Sequence, residues 1–154
     1  MIPITTKDLN KILYENSVTK RFFVGTHPSC ILPKTTKTFY SFITNTQNHD
    51  EFGGHWNAWI VDGKRLTFFD SFGRDPKDVT LPEHYKDFIR RFRIVDWVRT
   101  RVQGWDSKAC GYFCVHFIYM LSLGLNIKIF LREYTSDFEM NDQIVFDFVS
   151  SIIS

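Results

Sequence analysis

The longest apolar run in the chain extends from Ala109 to Leu123, preceded by polar residues and followed by Gly124. It is apolar on nearly every face. That predicts a helix from about Lys108 to Leu123, buried in a core rather than laid on a surface. Ser107 or Asp106 suits its N-cap, and Gly124 its stop. Three other segments carry apolar positions one turn apart. Leu9, Ile12 and Leu13 follow Thr5 and Asp8, which are spaced as a capping box, and this helix ends near Asn16. Tyr85, Phe88, Ile89 and Phe92 follow Pro82, which suits a first helical turn. Ile144, Val145, Phe148, Val149 and Ile152 predict a closing amphipathic helix over 141–153.

The remaining apolar runs are short and rich in aromatic and β-branched residues, which predicts strands over 21–25 and 37–44. His27 to Cys30 reads as a turn and 45–54 as a polar loop. The runs 55–61 and 64–70 flank Asp62-Gly63, a strong hairpin signal. With Asp62 and Gly63 as the two central turn residues, Val61 pairs with Lys64, and His55 falls opposite Asp70. Opposed residues share a sheet face with Cβ atoms about 4.5–5.5 Å apart, so this register sets an imidazole beside a carboxylate. A slip or a bulge would weaken that inference. Residues 71–81 read as a loop, 93–102 as a strand, and 126–131 as a short strand. The class expected is α+β, in a single domain over 1–154.

Composition narrows the function classes. Aromatics make up 17% of the 154 residues, and 16 of them are phenylalanine, which demands a packed core. The net charge of +2 is too small to imply a nucleic-acid partner by itself. Arg90, Arg91, Arg93, Arg99 and Arg101 nevertheless form a loosely basic region that leaves an acidic partner, DNA included, open. No stretch is long enough to span a membrane, the N-terminus lacks a signal-peptide layout, and no membrane partner is expected. Three cysteines, two of them on one helix, fit free thiols in a reducing compartment rather than a disulfide scaffold.

Cys110 falls in the first turn of the buried helix, where the helix dipole and free N–H groups favour a thiolate. Its own N–H lacks an intrahelical partner and can donate to a developing oxyanion, and the Gln103 side-chain amide offers a second donor. A small buried core cysteine is the ordinary alternative. The His55–Asp70 pair supplies a base and its orienting carboxylate, the two groups a cysteine nucleophile needs. His27 and His49 sit in loops, His84 in the first turn of a surface helix, and His116 six positions beyond Cys110 on another face. Cys114 is assigned to core packing, and no metal site is expected because Cys110, Cys114 and His116 cannot close a tetrahedral shell from one helix.

Three segments together carry a resemblance: Gly53-Gly54-His55-Trp56, Phe69-Asp70-Ser71-Phe72-Gly73, and Gln103 through Cys114. They resemble the adenovirus-type cysteine proteases of adenoviruses, virophages, large transposons and other DNA viruses, in the wider clan of the SUMO and ubiquitin-like proteases. The resemblance covers roughly residues 6 to 123. It implies a papain-like fold, a central mixed sheet with the nucleophile at the N-terminus of a packed helix. It implies Cys110 as nucleophile, His55 as general base and acid, Asp70 as orienting acid, Gln103 as oxyanion donor, and Trp56 packed over the imidazole. The adenoviral enzymes carry Glu where Asp70 stands, whereas the SUMO-protease branch carries Asp.

The function this implies is a cysteine endopeptidase (a thiol protease) that cleaves capsid or other virion precursor proteins during maturation. It would act as a monomer in the host cytoplasm or nucleus and in the virion, without secretion. The alternative is an isopeptidase acting on ubiquitin-like modifiers, and an inactive binding module of the same fold stands behind both. The family implies a peptide or DNA activator. Residues 93–102 hold no cysteine for covalent peptide attachment, and no required cofactor is evident.

Overall fold

A computed structural model describes residues 4–46 and 54–153. His49 and Gly53, named above, lie outside the described residues. Helix α1 spans Thr6–Glu15, and its capping box forms: the Asp8 N–H donates to Thr5 Oγ1 (3.1 Å) and the Thr5 N–H to Asp8 Oδ2 (3.0 Å). Five strands follow the order of the chain across one sheet: β1 (Phe23–Pro28), β2 (Phe39–Asn45), β3 (Trp56–Asp62), β4 (Arg65–Asp70) and β5 (Ile94–Trp97). The outer pairs β1–β2 and β4–β5 are parallel and the inner pairs antiparallel, so the sheet is mixed, as expected. Helix α2 (His84–Ile89) precedes β5, and α3 (Cys110–Ser122), α4 (Ile127–Leu131) and α5 (Phe138–Ile153) complete the α+β fold.

The sheet alternation separates two cores. Ile43, Ala58, Ile60 and Phe69 face α3, with α1, α4 and α5 closing around them. Phe42, Trp59, Val61, Leu66 and Phe68 face α2 through Tyr85 and Phe88. Helix α3 lies between the sheet and the other helices, with every residue from Cys110 to Ile118 buried, which explains its uniformly apolar sequence.

Several elements differ from expectation. Strand β1 runs through His27-Pro28, and the expected turn starts only there, closed by the Ile31 N–H on Pro28 O (3.1 Å); the β1–β2 register breaks between Phe23 and Thr26, and the strand continues past Gly25. The hairpin pairs Asp62 with Arg65, so Gly63 and Lys64 are the central residues. Gly63 alone of the two has positive φ (+59°), as a turn with glycine first requires. The register is therefore two residues from the expected one, and Asn57, not His55, is opposite Asp70. A two-residue slip preserves every face, so His55 stays on the Asp70 side. Strand β5 covers only four of the ten expected residues: beyond Trp97 the chain leaves the ladder and ties back through Val102 N–H to Ser71 O (2.9 Å). Residues 127–131 form a helix, not a strand, because the Asn126 side chain caps it by accepting from the Ile129 N–H (2.9 Å). Helix α3 begins at Cys110, two residues later than expected, and its N-cap position is Ala109. Ser107 serves one step earlier, its hydroxyl accepting from the Ala109 N–H (3.1 Å).

Candidate active site

Four separate elements deliver side chains to one end of the sheet. His55 immediately precedes β3, Asp70 ends β4, Gln103 lies in the segment after β5, and Cys110 opens α3. His55 and Asp70 meet directly: the imidazole Nε2–H donates to Asp70 Oδ1 at 2.5 Å. The Cys110 sulfur is near enough to the imidazole to raise its pKa. Nε2 faces the carboxylate, which leaves Nδ1 for the sulfur. Cys110 is 8% exposed and Asp70 fully buried, so the contacts are made largely out of water. As the first residue of α3, Cys110 precedes the first bond of the helical ladder, from the Phe113 N–H to Ala109 O (3.2 Å).

Electrostatics favour charge on both members of the pair. Burial pulls the His55 pKa down, but the hydrogen bond to Asp70, the hydrogen bond to Cys110 and the negative charge of both outweigh it and push the value up to about 9. Burial also pushes the Asp70 pKa up, and bonding to His55 and Arg74 overcomes this and holds it below its ordinary value. At neutral pH the pair is an imidazolium on a carboxylate. That imidazolium is the form that stabilises a sulfur anion and can hand a proton to a leaving amine.

Asp70 has partners that the hairpin alone does not reveal. Arg74 grips it from the following loop, with Nε 2.5 Å from Oδ2 and its backbone N–H 3.3 Å from the same oxygen. Asn57 Nδ2 donates to Oδ1 at 3.2 Å. Behind Asn57 runs a one-way chain of buried donors. The Trp59 indole N–H donates to Thr44 Oγ1 (3.0 Å), Thr44 Oγ1 lies 2.7 Å from the Tyr85 hydroxyl, and that hydroxyl donates to Asn57 Oδ1 (2.8 Å). Every member is fully buried, so the carboxylate rests on a saturated network.

The ring stacked on the imidazole is Phe72, at 4.4 Å between centroids and 16° between planes. Trp56 instead lies against the start of α3, its Cδ1 3.3 Å from where a Cβ on Gly111 would sit. Gln103 joins the cluster through Ser71, whose hydroxyl donates to Gln103 Oε1 and lies 3.3 Å from His55 Nε2. The Gln103 amide donates to Ser107 O (2.9 Å), and the side chain is fully covered. Arg74 could be suspected from its position four residues after Asp70. Asn57 follows from strand parity, and Ser71 and Phe72 lie within the quoted Phe69–Gly73 segment.

The other candidates are elsewhere. Cys114 is fully buried in the α3 core, where burial pushes its thiol well above its ordinary range. His116 is enclosed by Phe130, Phe148 and Tyr134, with Nδ1 2.5 Å from the Tyr134 hydroxyl, and burial lowers its pKa to about 4. His27 bonds Val24 O within β1 (3.1 Å). A groove of about 640 Å³ between α1 and α5, lined by Asp8, Lys11, Tyr112 and Phe146, holds none of the four candidate residues.

The chain is similar to known proteases. No protein-family model matches the chain. It is similar to the protease of bovine adenovirus 2, with 35% identity over 88 residues, covering 50% of this chain and 43% of that protein. The chain thus matches less than half the length of that relative. The ASFV pS273R protease has the same fold: TM-score 0.62 at 14% identity, covering 93% of this chain and 66% of that one. A Se-Met structure of the same protease matches with TM-score 0.50 at 20% identity, over 73% of this chain and 44% of that one.

Proposed function

We propose that the chain is a viral cysteine endopeptidase whose substrates are capsid or other virion precursor proteins. The observation that carries this is the imidazole of His55, bonded to the buried Asp70 carboxylate and raised in pKa by the Cys110 sulfur at the start of a buried helix. Similarity to an adenovirus protease supports the viral setting and the peptide-bond chemistry.

In the proposed reaction the Cys110 sulfur attacks the scissile carbonyl carbon, and the carbonyl oxygen takes up negative charge. The Cys110 N–H, unused by the helix, donates to that oxygen. Gln103 contributes the amide N–H not taken by Ser107, once substrate binding uncovers it. The His55 imidazolium, oriented by Asp70, protonates the leaving amine, which departs and leaves a thioester on Cys110. Neutral His55 then removes a proton from water, the resulting hydroxide attacks the thioester, and the acid product leaves with the thiolate and imidazolium restored.

The test is incubation with the virion precursor proteins encoded beside this chain. Cleavage is expected with the wild type and none with Cys110→Ala, which removes only a sulfur. Equal product from both proteins would refute the assignment. Precursors left whole while a ubiquitin-like Gly-Gly probe labels Cys110 would favour deconjugation instead.

A further inference from the structure

We infer that Ser71 is a positioning residue that sets which end of the Gln103 amide faces the reacting carbonyl; the inference rests on the protease assignment above. Ser71 is fully buried and directly follows Asp70. Its carbonyl accepts from both Val102 N–H (2.9 Å) and Gln103 N–H (3.2 Å), which fastens the 102–103 backbone to the end of β4. Its hydroxyl donates to Gln103 Oε1.

A primary amide has two nearly isosteric ends, and only the nitrogen end can stabilise an oxyanion. Two contacts break that degeneracy. Ser107 O accepts from Gln103 Nε2, and the Ser71 hydroxyl donates to Oε1. A flipped amide would set its oxygen against the Ser107 carbonyl, oxygen to oxygen, and would leave that acceptor buried without a proton. The direction of the Ser71 proton is itself fixed. Ser71 Oγ is 3.3 Å from His55 Nε2, whose proton already points toward it and Asp70, so the hydroxyl must turn its own proton to Gln103. One side chain thereby links the imidazole to the oxyanion donor, with hydrogen bonds running in one direction. It moves no proton to substrate and touches none of the reacting atoms.

The experiment is a double-mutant cycle on a fluorogenic peptide ending in Gly-Gly-aminomethylcoumarin. Ser71→Ala is expected to lower kcat about tenfold, the equivalent of one buried hydrogen bond, with KM within about twofold. In a Gln103→Ala background the same substitution should change kcat less than about twofold, because its target is gone. Alkylation of Cys110 by iodoacetamide forms no oxyanion. Its rate and pH profile should match wild type in Ser71→Ala, a readout that general misfolding would not spare. The inference is overturned by wild-type kcat in Ser71→Ala, by full additivity with Gln103→Ala, or by slowed alkylation. A wild type no more active than Cys110→Ala on this peptide and on the virion precursors would refute the protease assignment itself and the Ser71 role with it, whereas failure of Ser71 alone leaves the assignment standing.

Discussion

Asp70 is held from two sides by cations, and the two contacts have separable consequences. Asp70→Asn removes the charge that helps raise the His55 pKa and leaves at most a neutral acceptor, so the imidazolium should lose its proton at lower pH. The alkaline limb of kcat/KM, expected near the His55 value of about 9, should move down, and a pH profile of the peptide hydrolysis checks this. Arg74→Ala acts on the acid side. A carboxylate whose folded pKa is lowered stabilises the fold above its unfolded value and loses that contribution as pH falls through the folded one. Without Arg74 the folded value rises, and acid unfolding followed by circular dichroism should begin at higher pH. His55, Asp70 and Cys110 were legible because each sits at a marked place in a local pattern, a hairpin end or a helix start. Arg74 and Ser71 were not assigned roles because their contacts depend on how a loop folds back, which spacing does not encode, and Asn57 was not because the expected register set His55 in its place opposite Asp70.

At the scale of elements, the first turn of α3 is set by what packs on Gly111. A Cβ there would lie 2.0 Å from Ile4 Cγ2 and 3.3 Å from Trp56 Cδ1. Gly111→Ala must therefore push Ile4 aside, and should destabilise by about 1–3 kcal/mol. Thermal unfolding measures the loss, and Ile4→Ala in the same chain should recover part of it, since the clash is with that side chain. The sum of two independent losses would remove Ile4 as the cause. This crowding was invisible in the sequence, where Gly111 is simply the neighbour of the nucleophile candidate. The hairpin shows the complementary case. Its parity was legible from alternation, so His55, Asn57 and Asp70 fell on the correct face, while the turn residues Asp62-Gly63 left the register open by two. The 127–131 helix was misread because Ile127, Ile129 and Leu131 alternate like a strand; its cap at Asn126 and the packing of Phe130 on Phe69 and Phe117 decide otherwise.

For the whole molecule, two histidines shifted to opposite sides of their ordinary pKa, His116 buried and His55 partly so, shape stability against pH. His116 has its folded value lowered to about 4 by burial, so between there and its unfolded value of about 6.5 the unfolded chain binds the extra proton. Stability contributed through this site rises with pH across that window and is constant above it. His55 is the reverse: with a folded value of about 9, the native state holds the extra proton between about 6.5 and 9. Its contribution is fully present below 6.5 and is lost as pH rises through 9. Each slope approaches about 1.4 kcal/mol per pH unit within its window, so the two together predict a maximum near pH 6.5. Urea unfolding across pH should show that dome. His116→Gln should flatten its acid side and leave the alkaline side unchanged, because the His116 ring is packed among Phe130, Phe148 and Tyr134 in the helical core. Asp70→Asn should flatten the alkaline side, because it releases the imidazolium. An alkaline limb that persists unchanged in Asp70→Asn would show that His55 is not held in its charged form by that carboxylate.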